Sequence, residues 1–159
     1  MIAAEERLFA REDELLLTAD PAQEVQMQQF LIFESDGLLY GADVDYVVEI
    51  ITSHSITHLP MVPDYVRGII NLRGQVIPII DFRLRLGRPY REDACIIVLN
   101  VNGTQLGILV DGVAQMVAIP KESLLPAHDH SAQKLISGMC SLADGSTMLV
   151  LDCVLLVES

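Results

Sequence analysis

The side chains here with the most obvious chemistry are three cysteines and four histidines, which could serve as thiol nucleophiles or zinc ligands. The set they suggest is His128, His130, Cys140 and Cys153. Its spacing argues against metal binding. Neither Cys-x-x-Cys nor His-Glu-x-x-His occurs, and Cys140 and Cys153 sit in apolar, strand-like runs where a free cysteine behaves as a small hydrophobe. An odd cysteine count with no close pair also fits reduced core thiols better than a disulfide framework. Four carboxylates, Asp45, Asp81, Asp111 and Asp152, each follow an apolar run, where an aspartate side chain caps a turn rather than moving protons. The expectation is a protein without enzymatic activity, with no cofactor and no metal.

Charge narrows the choice of partner. The 159 residues carry 22 acidic and 10 basic side chains, a formal charge of -12, which disfavours a surface that binds phosphates by counterion release. With 5% aromatics and no Trp there is also no stacking platform for single-stranded nucleic acid. Apolar runs stay short of a membrane span, and the Met1 to Arg7 segment lacks the basic and apolar regions of a secretory signal, so a cytoplasmic location is expected. A hydrophobic content of 51% is ample for a packed core.

The elements that would position these residues read as β-strands. Runs rich in Val, Ile, Leu and Tyr are cut every 8 to 12 or so residues by turn formers, with the clearest strands at Phe30–Phe33, Leu38–Tyr40, Val76–Ile80, Ile96–Val101, Gln105–Val110 and Met148–Leu151. Ser35-Asp36-Gly37 and Asn102-Gly103 stand where hairpins need positive φ. Unbroken apolar runs imply strands buried on both faces or at a junction between two sheets. Residues 1–27 differ: an acidic segment with Leu8, Phe9, Leu15, Leu16 and Leu17 loosely spaced for one helix face, read as a helical arm.

The chain also repeats itself. At an offset of 66, Phe30 to Phe33, Gly37 and Gly41 fall on Ile96 to Leu99, Gly103 and Gly107, and Leu59-Pro60 falls on Leu125-Pro126. Further on, Gly68 meets Gly138 at an offset of 70, and Ile77, Ile79 and Asp81 meet Met148, Val150 and Asp152 at 71. Half-repeats of about 28–90 and 94–157 are each too small to be comfortable alone. The expected fold is all-β: two five-stranded barrels packed face to face with a seam between them, exchange of terminal strands being one way to join them.

Repetition separates what the fold needs from what it does not. Arg73 has Ala143-Asp144 as its counterpart and Glu49 has Gln115, so neither charge is required by packing. Arg73, beside a turn glycine, should present its guanidinium outward to an acidic partner. Six of the ten basic residues, Arg67, Arg73, Arg83, Arg85, Arg88 and Arg91, fall within 25 positions that contain one acid, which suggests a steering surface.

The stretch Val66 to Leu86 contains Gly68-Ile69-Ile70-Asn71-Leu72-Arg73-Gly74 and then an apolar strand with Pro78 ending at Asp81. It resembles the chemotaxis coupling proteins of the CheW family, as do Tyr40-Gly41 with Val47 to Ile50, and Gly107 to Val113. The likeness spans about Gln28 to Val157, giving a 1–27 arm and a 28–159 CheW-like domain. It implies two interlocked SH3-like barrels and a cytoplasmic, non-enzymatic adaptor joining the regulatory domain of a CheA-type histidine kinase to the cytoplasmic tip of a methyl-accepting chemoreceptor. Ring or array assembly is implied too, with membrane association only through receptor complexes. By position, Glu49 and Ile50 would meet the kinase, and Val47, Gly68, Arg73, Gly74, Gly107 and Val113 would serve receptor contact. The alternative is a family member acting in twitching or surface sensing that binds only kinase or only receptor.

Overall fold

The computed structural model describes residues 25–52, 54–89, 95–126 and 135–158. The expected arm, apart from its last residues, lies outside that set, as do Arg91, His128 and His130. Eleven strands are described: β1 (Met27–Ser35), β2 (Leu38–Asp43), β3 (Val47–Ile51), β4 (Val66–Leu72), β5 (Gln75–Asp81), β6 (Cys95–Val101), β7 (Thr104–Val110), β8 (Gly112–Pro120), β9 (Leu125–Pro126), β10 (Ile136–Ser141) and β11 (Thr147–Leu151). Two short helices interrupt the all-β pattern, α1 (Phe82–Arg85) and α2 (Cys153–Glu158). Asp81 and Asp152 accept from the backbone N–H of Leu84 and Leu155, so these two aspartates cap helix starts, as the sequence suggested. Cys153 accordingly opens a helix and is not in a strand.

The strands form a six-stranded sheet, β8-β1-β2-β11-β10-β9, and a five-stranded sheet, β3-β6-β7-β5-β4. The first has one strand more than expected, the two-residue β9. Each sheet draws on both halves of the sequence. Hairpin β1-β2 joins the second-half strands β8 and β11, while hairpin β6-β7 joins the first-half strands β3 and β5. What is exchanged is thus the opening hairpin of each half, not a terminal strand, and the barrels interlock.

The registers repeat as faithfully as the residues. Ile32 lies opposite Gln115 and Val98 opposite Glu49, Gly41 opposite Val150 and Gly107 opposite Ile79, and the bulge in β8 recurs in β3. One alignment slips. Leu125 pairs with Met139 whereas Thr57, not Leu59, pairs with Ile69, so the loop before each glycine-bearing strand is two residues out of step between halves.

Burial on both strand faces explains the unbroken apolar runs. In β1, Phe30 and Ile32 point into one barrel and Leu31 and Phe33 into the junction; in β6, Ile96 and Val98 fill the other barrel while Ile97 and Leu99 return to the junction. That junction is the largest core and is centred on Phe33, Tyr40 and Phe82, whose ring centroids lie 4.8 to 5.5 Å apart. The expected seam is therefore packed solid along this core, since two marginal barrels gain most by burying their facing sheets in each other.

Candidate protein-docking surface

Three hairpins carry a two-residue turn whose first position has positive φ: Asp36-Gly37, Arg73-Gly74 and Asn102-Gly103, at φ 52°, 50° and 52° for the non-glycine residue. Such turns favour Asn, Asp or Gly in both places. Arg73 stands out because its backbone conformation is disfavoured for a long side chain; the Asn71 Oδ1 that accepts from Gly74 N–H at 3.0 Å is a feature of the turn itself, since Asn100 Oδ1 accepts from Gly103 N–H at 2.9 Å in the same way. Arginine there is explained by its guanidinium.

The guanidinium finds an acid in its own chain. Arg73 Nη2 donates to Glu49 Oε1. The two charges singled out as departures from the repeat thus meet, joining the tip of the β4-β5 hairpin to edge strand β3. The Arg73 side chain stays 70% exposed, so the pair lies on the surface and leaves donors facing outward. Beside it is a shallow depression of about 270 Å³ lined by Val48, Leu72, Arg73, Gln75 and Gln105. Val48, at the β3 bulge, and Ile50 are 45% and 41% exposed, and Val76 is 61% exposed. Val48 shares the depression with Arg73, Val76 lines a neighbouring one with Gln75 and Gln105, and Ile50 follows Glu49 on the opposite strand face; an ion pair next to exposed Val48 at a sheet edge is the composition of a docking rim.

The other residues carried by resemblance are placed differently. Gly74 belongs to the Arg73 turn. Val47 and Val113, equivalent by the repeat, are both half-buried against the junction core. Gly68 and Gly107 are packing positions: a Cβ on Gly68 would lie 2.0 Å from the Thr57 carbonyl oxygen, and one on Gly107 would lie 2.4 Å from Ile79 Cδ1. The structure therefore groups Glu49, Arg73 and Gly74, leaves Ile50 exposed at the next position of β3, and sets Val47, Gly68, Gly107 and Val113 apart from them in the framework.

The arginine-rich stretch is not a bare cationic face. Arg67 pairs with Asp81 at 3.3 Å, Arg83 with Asp36 and Asp111, Arg88 with Asp36, and Arg85 lies over the Tyr65 ring at 5.2 Å. Acids remote in sequence fold onto these cations, a neutralisation that local charge counting cannot see. Arg83 is only 2% exposed, and Asp111 is its partner; Asp111 also caps a turn as expected from sequence, its Oδ2 accepting from Asp36 N–H at 2.9 Å in the β1-β2 turn, whereas the expected Asp45 cap does not form and Asp43 instead accepts from Asp45 N–H. The missed signal lay in the repeat, where Arg83, Asp36 and Asp111 fall opposite Val154, Asn102 and Asp45.

Thiol groups are placed for packing. Cys140 lies in one barrel core and Cys153 in the junction core, so they do not share a site. Burial pushes the Cys153 thiol up to about 12 and raises Cys140 as well, which suppresses the reactive thiolate. Among the described residues no three His, Cys, Asp or Glu side chains converge on a metal site, and no helix is long and apolar enough to cross a membrane.

Two interlocked SH3-like barrels whose distinctive polar residues stand on a sheet edge make up a protein-interaction module. Residues 29–159 match the CheW-like domain, and the chain belongs to that family. It is 36% identical over 136 residues to chemotaxis protein CheW of Klebsiella aerogenes, covering 82% of this chain and 81% of that one. The Thermotoga maritima chemotaxis protein CheW is 33% identical over 108 residues, covering 67% and 70%. Among solved structures, the scaffolding protein TtCheW of Thermoanaerobacter tengcongensis superposes with a TM-score of 0.74 at 29% identity, over 79% of this chain and 89% of that one.

Proposed function

We propose that the chain is a non-enzymatic cytoplasmic adaptor that couples a CheA-type histidine kinase to the cytoplasmic tip of chemoreceptors, reaching the membrane only through receptor complexes. The observation that carries this reading is the Arg73–Glu49 pair beside exposed Val48, present on the first barrel and replaced by Ala143-Asp144 and Gln115 in the second. A fold that tolerates both versions keeps the charged one for something other than folding. Family membership supplies the class of partner.

On this reading Glu49 and Ile50 contact the kinase's regulatory domain, and Arg73 and Gly74 form the loop that bears on receptor contact. Val47 and Val113 shape the receptor site from beneath, and Gly68 and Gly107 act through packing. Contacts of this kind bind transiently, and repetition in an array supplies the avidity.

The test is co-sedimentation with receptor-bearing membranes and kinase, scoring kinase phosphorylation. Wild type should bring kinase to receptor and raise its activity, and Arg73→Glu and Glu49→Lys should each fail. The double variant separates two mechanisms: restored coupling means the pair acts by its geometry, and continued failure means each charge meets a partner directly. Wild type that binds neither kinase nor receptor refutes the proposal.

A further inference from the structure

Among the described strands the chain passes from one sheet to the other twice. Strand β2 belongs to the six-stranded sheet and β3 to the five-stranded one, with Val44–Tyr46 between them; β7 belongs to the five-stranded sheet and β8 to the six-stranded one, with Asp111 alone between them. The repeat makes these crossings equivalent, since Asp45 falls on Asp111 and Val47 on Val113. Each valine therefore comes just past a crossing: Val47 opens β3, and Val113 stands second in β8.

The two crossings are held differently. Asp111 N–H donates to the Glu34 carbonyl at 2.9 Å, its Oδ1 accepts from Arg83 Nε at 2.9 Å, and its Oδ2 accepts from Arg83 Nη2 and from Asp36 N–H. Arg83 Nη1 donates to Asp36 Oδ1 at 2.8 Å. One buried guanidinium on α1, the helix that follows β5 of the five-stranded sheet, is thus tied both to the β7-β8 crossing and to the β1-β2 turn of the six-stranded sheet. At the other crossing Asp45 is exposed, and Val154 and Asn102 stand where Arg83 and Asp36 would.

Apolar burial draws two sheets together in proportion to area and without direction. A forked arginine–carboxylate bond has a preferred plane and angle, and so adds geometry to attraction. The junction core brings the barrels into contact, and the Arg83 fork selects one setting of that contact. We propose that Arg83 is a positioning residue: through Asp111 and Asp36 it fixes how the two barrels are set against each other at the β7-β8 crossing, and with that the place of Val113 in the receptor site. The link from Val113 to a receptor rests on the function proposed above; the setting of the barrels does not.

The experiment uses the full-length chain with Val76→Cys on β5 and Met116→Cys on β8, two exposed positions on different sheets, each carrying a nitroxide. Cys95, Cys140 and Cys153 are buried, so labelling the folded protein marks the two new thiols. Pulsed electron paramagnetic resonance reads the distance between the labels. With Arg83 intact it should give one narrow distance, and Arg83→Met should add a population displaced from it. Arg83→Lys spares the fold by keeping the charge, but lacks the fork that bonds both acids at once, and should show the displaced population too. As a control, Ile70→Ala hollows a barrel core separate from the junction, and should lower the melting temperature while keeping the single distance. On unlabelled chains, receptor co-sedimentation should weaken by the inverse of the fraction left at the native distance, about threefold if about a third remains, with kinase binding at the wild-type level. A single native distance in either Arg83 variant, or an equal displaced population in Ile70→Ala, would overturn the positioning role. Undiminished receptor binding by a displaced variant would overturn its bearing on Val113. Wild type that binds no receptor would refute the functional reading instead, and the distances would still decide whether Arg83 sets the barrels.

Discussion

Gly68→Ala should be among the most damaging single-methyl changes in this protein, and its cost can be worked from two features. The backbone there sits at φ +142°, a region that non-glycine residues enter at a cost of about 1–3 kcal/mol. The added Cβ would also lie 2.0 Å from the Thr57 carbonyl oxygen and 2.8 Å from its carbon, and backbone cannot swing aside as a flexible side chain can. Thr57 is held by reciprocal bonds with Ile69 of 2.8 and 2.9 Å, so relief requires lifting that segment off β4, worth another ~1–3 kcal/mol. The total is a large share of the roughly 5–15 kcal/mol that holds a domain together. Urea unfolding should show a midpoint lowered by roughly 1–3 M, taking a slope near 2 kcal/mol/M. The repeat supplies the controls. At Gly138 the Cβ would approach the Leu125 carbonyl oxygen at 2.7 Å without a positive φ, and at Gly74 φ is +84° but nothing lies within 4 Å. Both alanine variants should therefore lose less than Gly68→Ala. A Gly68→Ala midpoint matching wild type, or a larger loss at Gly138, would refute the reasoning. A stable Gly68→Ala that fails in receptor co-sedimentation would return Gly68 to the contact surface.

Arg73→Asn should leave stability unchanged or raise the melting temperature slightly, since asparagine suits the turn and an exposed ion pair is worth about 0–1 kcal/mol, while kinase coupling falls. A marked drop in melting temperature would show that the pair is structural. The native thiols should resist Ellman's reagent at pH 8 and react only on unfolding, because burial holds the Cys153 thiol near 12 and raises Cys140. Rapid labelling of native Cys153 would contradict its placement. The hydrogen bond from Arg88, reinforced by Arg83, holds the Asp36 carboxyl below its ordinary value of 3.8. A carboxyl lowered in the folded state adds stability that is present above 3.8 and lost as pH falls through the lowered value. Asp36→Asn should flatten that acid limb of a stability-against-pH profile, and an unchanged limb would remove Asp36 from its cause.

Much of the site was legible because duplication works as an internal control. Arg73 and Glu49 stood out as charges that the other half lacks, and the structure brings them together. That they answer each other could not be read from residues 24 positions apart, because the contact depends on how the β4-β5 turn and edge strand β3 come together. The same limit hid the Arg83 cluster. Asp36 and Asp111 lie 47 and 28 positions from Arg83, and without them the arginine-rich stretch reads as an open cationic surface.

Strand positions, hairpin turns, the two-fold repeat and the double-sided burial of β1 and β6 were set by the sequence alone. These features rest on local rules: side-chain alternation, the φ that a turn requires, and apolar runs that must be covered on both faces. Tertiary structure decided which half covers which, exchanging the opening hairpins so that each sheet is completed by the other half and the seam becomes the largest core. It also decided which charges are spent inside the fold and which face a partner. Pairing between distant segments is a property of the closed chain, because a strand edge or a guanidinium accepts any suitable partner until the packed core leaves only one within reach.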